Sequence, residues 1–495
     1  MTKRAFVLRE EPFEGYNSNV GDRLIHAGVD ELIDQLGQFD RTYVNRKQFT
    51  LPNPDATADL LVYAGMPQFG ATNRASTDDQ AWAMLRHRFP PPVPALNIGC
   101  GTGYALHDNR LAVAANMVSE TYNQWFYSGQ EDVFYLARDP LSWYFLELLG
   151  PRVELGLCPS NFAPALAPSR RNGVGISLVH PGIKFDQAQK SRLAFDIGEL
   201  YKGLLSRYPD ATVICQEPVD VEWARSLGIA NIVLPETIGA FYEACGSVET
   251  LISSRVHATV CATLQGVPTL HLAIDGRSDL LTPLMAGGLK KINIFWHSCN
   301  EIIEAAAALI GQPVSQNLAP VVNRLRTIMN AQIREALTPK RPKRTRRGSV
   351  IVNPGGQIAR LCPGDAVFLL ADKFKSNSGV TRDERTVFPF STIGKHVIYG
   401  PYMRFPRGPY SLNVDLEYWG NAENLNGEIE IDVAAGGRQI ASRRIPLVQA
   451  MTTDRLLALE FDNADPKLDL EFRVEAFGSS PGLQIAFSGV MLRAE

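Results

Sequence analysis

The sequence has no excess of charge of one sign, no cysteine motif and no long apolar run. Its 495 residues carry 49 basic and 52 acidic side chains, a formal net charge of −3, so no global field attracts nucleic acid or an anionic membrane. The seven cysteines form no Cys-x-x-Cys pair and are odd in number, which argues against a zinc site or a disulfide framework. No stretch approaches the roughly 18 uncharged apolar residues of a spanning helix, and the apolar run before Arg9 is too short for a signal peptide. We therefore expect a cytoplasmic protein without a metal ion, a cofactor or a nucleic-acid partner.

The first two thirds of the chain have the pattern of an α/β protein. Up to about residue 336, short apolar runs alternate with longer amphipathic stretches, which indicates a mostly parallel sheet covered by helices. The segment Pro168-Ser-Arg-Arg171 interrupts this pattern and divides it into halves of similar size. We predict two Rossmann-like lobes that face one cleft, residues 1–167 and residues 168–337.

The composition changes after residue 337. Residues 338–350 include two prolines and six basic side chains and predict an extended linker. This linker suits contact with the anionic inner face of the cell membrane, and a plain solvated spacer fits equally well. Residues 351–495 have short alternating strands separated by turn residues, which predicts an all-β sandwich of the jelly-roll type. In it Tyr402, Trp419 and Asn421 are candidates to bind carbohydrate, with core packing as the alternative for the aromatic rings.

The segment 249–274 is the strongest candidate for chemistry, because it predicts a strand, a helix and a second strand in close succession. Ser253 or Ser254 can cap the helix at its start, and Gly266 ends it. Arg255 and His257 are then expected in the first helical turn.

A helix start with this composition favours an anion and a proton transfer. The free N–H groups attract an anion, Arg255 adds a bidentate clamp, and His257 can transfer protons near neutral pH. The strand that follows would bring Arg277 to the same edge of the sheet. In the alternative interpretation, Arg255 pairs with a structural carboxylate and His257 is an interior residue.

The first lobe has glycine-containing turns at equivalent places. The segment 17–25 predicts a turn before a helix that begins near Asp22, and Gly65 follows an apolar run. Gly99-Cys-Gly-Thr-Gly103 follows another, where missing side chains allow close approach of a ligand to the backbone. This spacing is neither a P-loop nor the G-x-G-x-x-G fingerprint, and a methyltransferase loop is a weaker alternative.

Taken in order, these motifs resemble the polysaccharide pyruvyl transferase family over residues 17–295. The motifs are Asn19-Val-Gly-Asp22, the runs into Gly65 and Gly99-Cys-Gly101, Ala137-Arg-Asp-Pro-Leu-Ser142, Gly175-Ile-Ser-Leu178, and Ser254-Arg-Val-His-Ala258 with Gly266-Val-Pro268. The resemblance implies a two-lobed, glycosyltransferase-B-like (GT-B-like) enzyme. It also implies phosphoenolpyruvate as the donor, a saccharide or lipid-linked oligosaccharide as the acceptor, and a pyruvyl ketal as the product.

The resemblance also assigns roles to individual residues. Arg255 and His257 match the family's Arg-x-His motif as catalytic residues, His257 as the general acid. The residues implied to bind substrate are Asn19, Gly21, Asp22, Gly65, Gly101, His180 and Arg277. Two departures bear on this assignment: Val179 and His180 stand where relatives have an arginine, and Cys158-Pro-Ser-Asn161 replaces a segment with an aspartate. A glycosyltransferase that uses a nucleotide sugar and a non-catalytic glycan-binding protein remain the alternatives.

Overall fold

The computed structural model describes most of the chain. The described residues are 3–10, 19–47, 50, 53, 55–65, 67–69, 77–120, 130, 132–164, 171–184, 187–312, 318–338, 348–391, 395–421 and 425–495. The predicted lobe boundary at 167/168 and most of the predicted basic linker (339–347) lie outside them. None of the described helices has both the length and the apolar character needed to cross a bilayer.

The first lobe is built on a parallel sheet with the strand order β2-β1-β3-β5-β6-β7, and β4 pairs with β5. Strands such as β3 and β6 are apolar along their whole length because helices cover both faces of the sheet. The strands are β1 (Lys3–Arg9), β2 (Phe39–Asn45), β3 (Leu60–Ala64), β4 (Pro67–Phe69), β5 (Ala95–Thr102), β6 (Val133–Ala137) and β7 (Arg152–Leu155). The helices are α1 (Val20–Asp34), α2 (Thr77–Arg88), α3 (Arg110–Ser119), α4 (Pro140–Leu149) and the 3₁₀ helix Pro159–Phe162.

The second lobe repeats this plan with the parallel order β10-β9-β8-β11-β12-β13. Its strands are β8 (Val174–Ser177), β9 (Thr212–Ile214), β10 (Ile232–Val233), β11 (Thr250–Ser253), β12 (Thr269–Ala273) and β13 (Lys290–Asn293). Its helices are α5 (Pro181–Lys184), α6 (Gln187–Arg192), α7 (Ile197–Arg207), α8 (Pro218–Ser226), α9 (Ile238–Gly246), α10 (Val256–Leu264), α11 (Cys299–Ala307) and the 3₁₀ helices Gly276–Gly287 and Ile294–Trp296. The predicted mixed α/β class with parallel sheets is confirmed.

The last α/β helix, α12 (Ala319–Leu337), packs on the first lobe although the sequence places it with the second. Arg334 donates to the backbone carbonyl of Gln35 at 2.5 Å, and Met329 Sδ accepts from the backbone N–H of Leu157 at 3.2 Å. The chain therefore returns to the first lobe before it enters the C-terminal region.

The C-terminal region is antiparallel apart from the parallel pair β14–β15. Aromatic side chains of its two sheets are in contact, for example Phe461 and Phe472, whose ring centres are 6.3 Å apart. The elements are β14 (Val350–Val352), β15 (Ala366–Leu370), the 3₁₀ helix Ala371–Lys373, β16 (Lys375–Ser376), β17 (Val380–Arg382), β18 (Arg385–Pro389), β19 (Lys395–Met403), β20 (Gly408–Gly420), β21 (Gly427–Ala435), β22 (Arg438–Pro446), α13 (Leu447–Thr452), β23 (Leu457–Asn463), β24 (Leu470–Gly478) and β25 (Leu483–Ala494). The jelly-roll topology and the GT-B-like arrangement stay predictions.

This region is joined to the α/β lobes rather than appended to them. Lys291 on β13 pairs with Gly420 on β20, so the sheet of the second lobe continues into a C-terminal sheet. Trp419, expected on the surface as a sugar platform, is buried, and its ring packs against Trp296 and beneath the Lys291 ammonium. The alternative of core packing therefore holds for Trp419, because Trp296 and the Lys291 side chain lie against its ring. Tyr402 is exposed as expected, and its hydroxyl donates to Glu471 at 2.7 Å.

Buried charged side chains lie where the three regions meet. Arg110 of the first lobe bonds Asp279 of the second lobe at 3.0 Å and both carboxylate oxygens of Asp415 in the C-terminal region at 2.7 and 2.8 Å. Arg385 bonds Glu417 within the C-terminal region at 2.8 Å and donates to the backbone carbonyl of Leu106 in the first lobe at 2.7 Å. We call these five charged residues, together with Lys291, the junction cluster.

Candidate active site

A cleft of about 640 Å³ opens between the two α/β lobes, within the size range of small-molecule sites. We define the cleft by its lining. The lining residues are Glu10, Asn19, Asp22, Arg46 and Lys47 of the first lobe, and Val179, Gln216, Glu217, Pro218, Val219, Glu222, Ser254, Arg255, Val256, His257 and Arg277 of the second lobe. Five predicted site residues are thus brought together: Asn19, Asp22, Arg255, His257 and Arg277.

Three helices begin at the cleft. Helix α1 starts at Val20 behind Asn19, α8 starts at Pro218 behind Glu217, and α10 starts at Val256 behind Arg255. Each helix start has N–H groups without an intrahelical acceptor and a partial positive charge. Asn19 caps the start of α1, and Glu217 and Asp220 form a capping box at the start of α8. Of these three helix starts, that of α10 has no side-chain cap and favours an anion through its backbone dipole.

The start of α10 differs in detail from the sequence prediction. Neither Ser253 nor Ser254 caps the helix; Arg255 occupies the cap position, and no side chain accepts from the first turn. Ser253 Oγ instead accepts from the backbone N–H of Arg255 at 3.0 Å. His257 lies in the first turn as predicted, and the first turn of α10 faces the cleft without a side-chain cap.

Arg255 is held by two carboxylates. Its Nη2 lies 2.5 Å from both oxygens of Asp220, and its Nη1 lies 3.1 Å from Glu217 Oε1. Asp220 also accepts from the backbone N–H groups of His180 and Gln216, each at 3.2 Å. Arg255 therefore makes the carboxylate pairing of the alternative interpretation and also lines the cleft.

Gly21 makes room for His257. A Cβ atom on Gly21 would lie only 2.1 Å from His257 Nδ1, so the first turns of α1 and α10 approach each other through this position. Next to it, Asn19 Nδ2 donates to Glu217 Oε1 at 2.5 Å across the two lobes. Asn19 and Gly21 thus both lie at the lobe interface, where the missing side chain of Gly21 leaves room for His257.

Three further charged residues of the cleft, Arg277, Arg46 and Asp22, are also paired or buried. Arg277 binds Asp275 with Nε at 2.9 Å and Nη2 at 2.6 Å. Arg46 pairs with Glu10 in a buried ion pair. Burial raises the pKa of Asp22 above its usual range, although the nearby positive charge of Arg46 opposes this shift.

Gly65 and Gly101 are not among the described residues that line the cleft. A Cβ atom on Gly65 would lie 2.2 Å from the carbonyl oxygen of Gly99, and one on Gly101 would lie 2.2 Å from Arg138 Nε. The sequence suggested loops here; Gly65 does follow the end of β3, but Gly101 lies inside β5, which continues through Thr102. Both glycines make close contacts inside the first lobe.

His180 lies next to the cleft without lining it. Its ring meets the edge of Trp223 with 5.3 Å between ring centres, and its Nδ1 accepts from the backbone N–H of Gly182 at 3.0 Å. Its backbone N–H binds Asp220, so His180 is tied to the group that holds Arg255.

Sequence reasoning missed Glu217 and Asp220. The signal was present, because Glu217-Pro218 follows the apolar strand β9 and marks a helix start at the carboxyl end of that strand. Only the folded chain shows that both carboxylates meet Arg255. Among the described residues, no group of three or more histidine, cysteine, aspartate or glutamate side chains is arranged to hold a metal ion.

Part of the chain matches the model of a known family. The family model described as polysaccharide pyruvyl transferase matches residues 128–276, which confirms the resemblance for the part that carries His180, Arg255 and His257. The match ends one residue before Arg277 and does not include the first-lobe motif at Asn19. No curated protein matches the chain.

Several solved structures are similar to parts of this fold. The UDP-GlcNAc 2-epimerase from Neisseria meningitidis is 12% identical, with 67% of this chain and 100% of that chain covered and a TM-score of 0.42. The enzyme of the same name from Methanocaldococcus jannaschii is 10% identical, with 67% and 100% covered and a TM-score of 0.40. A spinosyn forosaminyltransferase is 12% identical, with 68% and 100% covered and a TM-score of 0.36. Similarity at this level carries no functional assignment.

Proposed function

Because residues 128–276 match the polysaccharide pyruvyl transferase family, we propose that this protein transfers a pyruvyl group from phosphoenolpyruvate to a saccharide in the cleft. One observation carries the proposal: Arg255 and His257 stand at the uncapped start of α10 and line the cleft together. A donor with a carboxylate and a phosphate suits the start of α10, where no side chain caps the helix and an arginine stands at the cap position.

The chemistry requires an acid and an anion site. His257 protonates the methylene carbon of the donor, which makes the adjacent carbon electrophilic. A sugar hydroxyl adds to that carbon and loses its proton, and phosphate leaves with the electron pair of its carbon–oxygen bond. A second hydroxyl then adds and loses its proton, which closes the ketal. Two carbon–oxygen bonds form and one breaks. One of the two released protons restores the acid form of His257, and the other goes to the departing phosphate.

The side chains of the cleft divide this work. In this proposal Arg255 holds the donor carboxylate and Arg277 holds the phosphate. Since Asp275, Asp220 and Glu217 already pair with these arginines, the donor must compete with resident carboxylates. The helix starts supply the additional positive potential. The acceptor in this proposal is a saccharide or a lipid-linked oligosaccharide.

Calorimetric titration of phosphoenolpyruvate and UDP-GlcNAc tests the donor. We expect saturable binding of phosphoenolpyruvate, and a loss of about tenfold in affinity in Arg255→Lys, because lysine keeps the charge but not the planar clamp. Lysine is preferred to alanine because alanine would leave buried Asp220 without a cation. Saturable binding of UDP-GlcNAc without binding of phosphoenolpyruvate would replace this proposal with a sugar transferase.

A further inference from the structure

Glu217 Oε1 occupies a point at which donors from both lobes converge. Asn19 Nδ2 of the first lobe lies 2.5 Å from this oxygen, and Arg255 Nη1 of the second lobe lies 3.1 Å from it. Glu217 also precedes the first residue of α8, so the positive end of that helix is next to it. An amide N–H, a guanidinium N–H and a helix start together make a binding point for one carboxylate group.

The two carboxylates that pair with Arg255, Asp220 and Glu217, differ in how easily they can move away from it. The Asp220 side chain is 2% exposed, while the Glu217 side chain is 30% exposed. Asp220 also accepts backbone N–H groups of three residues, His180, Gln216 and Glu217. Moving Asp220 would leave a buried cation and three amides without acceptors, whereas Glu217 can turn into the water of the cleft.

We propose that Glu217 fills a carboxylate-binding subsite in the ligand-free protein and that the carboxylate of an incoming ligand displaces it. The ligand carboxylate takes the two bonds from Asn19 and Arg255, so the contact between the lobes passes from Glu217 to the ligand. Asp220 keeps the Arg255 guanidinium in place during the exchange. The identification of the natural ligand as phosphoenolpyruvate rests on the proposed function; the subsite for a carboxylate rests on the geometry alone.

The subsite explains how a cleft with paired cations can accept an anion. Glu217 is tethered to its donors and so acts as an intramolecular competitor, whose effective concentration is on the order of millimolar. Replacing Glu217 with glutamine keeps the size of the side chain but removes its charge, so it competes less strongly with a ligand carboxylate. Carboxylate ligands should then bind more tightly.

The test compares Glu217→Gln with the wild type by calorimetric titration of pyruvate, phosphoenolpyruvate and inorganic phosphate. We expect the Kd values of pyruvate and phosphoenolpyruvate to fall about tenfold and that of phosphate to change less than about twofold, because only a carboxylate replaces Glu217. Glu222→Gln is the matched control, since it removes one charge from the same cleft wall at a side chain outside the Asn19–Glu217–Arg255 contact. Thermal unfolding of both variants checks that the fold is retained.

The outcomes separate the subsite from the proposed function. Tighter pyruvate binding in Glu217→Gln, but not in Glu222→Gln, supports the subsite. If neither the wild type nor Glu217→Gln binds phosphoenolpyruvate, the subsite still stands and the proposed function fails. Unchanged affinities in Glu217→Gln overturn the subsite and leave the function standing if the wild type binds phosphoenolpyruvate. An equal gain in Glu222→Gln, or a gain for phosphate alone, also overturns the subsite, because bulk charge or a general anion effect would then explain it.

Discussion

The junction cluster and the cleft use the same chemical groups but differ in their access to water. In the junction cluster, the side chains of Arg110, Asp279 and Asp415 are each at most 2% exposed, and those of Arg385 and Glu417 are 0% exposed. In the cleft, Glu217 and Arg277 keep part of their surface open. A carboxylate that can reach water can be exchanged for a ligand, and one that cannot is a fixed part of the fold. Ion pairing alone therefore does not separate a structural arginine from a functional one.

The largest expected effect is the loss of Arg110. Arg110→Met should lower the free energy of unfolding by about 3–5 kcal/mol, because it leaves two buried carboxylates uncompensated. Urea unfolding measures this, with Arg444→Met as control, since its pair with Glu428 is nearly half exposed and should be worth less than about 1 kcal/mol. Equal effects of the two variants would contradict the distinction between buried and exposed pairs.

Lys291 should give the junction cluster a pH dependence. Burial lowers the pKa of Lys291 to about 8, against the opposing attraction of Asp279 and Glu417. Between this pKa and the usual 10.5, the unfolded chain binds more protons than the folded chain, so this lysine makes the protein more stable as the pH rises through that window. Below pH 8 both states are protonated, and the cost of the buried charge is fully present.

Urea unfolding of the wild type and Lys291→Met at several pH values from 7 to 10 isolates this contribution. The difference in unfolding free energy between the two proteins should change by a few kcal/mol across the window, in favour of the wild type at high pH. Lys202→Met, at an exposed lysine, is the control and should give a difference independent of pH. A flat difference for Lys291→Met as well would show that its ammonium is not held in a desolvated state.

The sequence predicted local features of this molecule better than the partners that those features meet. The position of His257 in the first turn of α10 follows from a strand, a turn and a helix that are contiguous in the chain. The burial of Trp419 depends on Trp296 and Lys291, more than 100 residues away, and an alternating strand pattern does not tell which distant side chains cover a ring. The carboxylate partners of Arg255 are likewise fixed by tertiary contact between β9, α8 and α10.

Two glycines of the first lobe also show that the local sequence does not identify a residue's neighbours in the folded chain. Gly21 and Gly101 both stand in short glycine motifs, and from sequence both suggest backbone contact with a ligand. In the folded chain Gly21 faces His257 at the cleft, while Gly101 faces Arg138 inside the lobe. The local sequence therefore suggests the same role for Gly21 and Gly101. Only the side chain that each glycine faces in the folded chain distinguishes the two.

Gly21→Ala tests the cleft without removing a charge. The added methyl group would meet His257 Nδ1, so the imidazole must shift, and a displacement near 1 Å should lower turnover about 100-fold. The cost in unfolding free energy should be about 1–3 kcal/mol, as for other overpacked sites. Phosphate release from phosphoenolpyruvate with a saccharide acceptor measures turnover. Gly103→Ala is the control, because a Cβ atom there meets no atom within 4 Å, and it should leave both quantities unchanged.

The smallest effect on stability is expected at Arg277, whose ion pair lies in the cleft and not in the junction cluster. Arg277→Gln breaks the bond to Asp275, but both side chains are partly exposed, at 22% and 13%, so the loss should stay below about 1 kcal/mol. Binding of phosphoenolpyruvate should nevertheless weaken about tenfold, since the phosphate loses a charge-assisted donor. Calorimetry and urea unfolding on the same preparation give both numbers. If Arg277→Gln instead loses several kcal/mol of stability and keeps its affinity for phosphoenolpyruvate, Arg277 would be a structural arginine like Arg110.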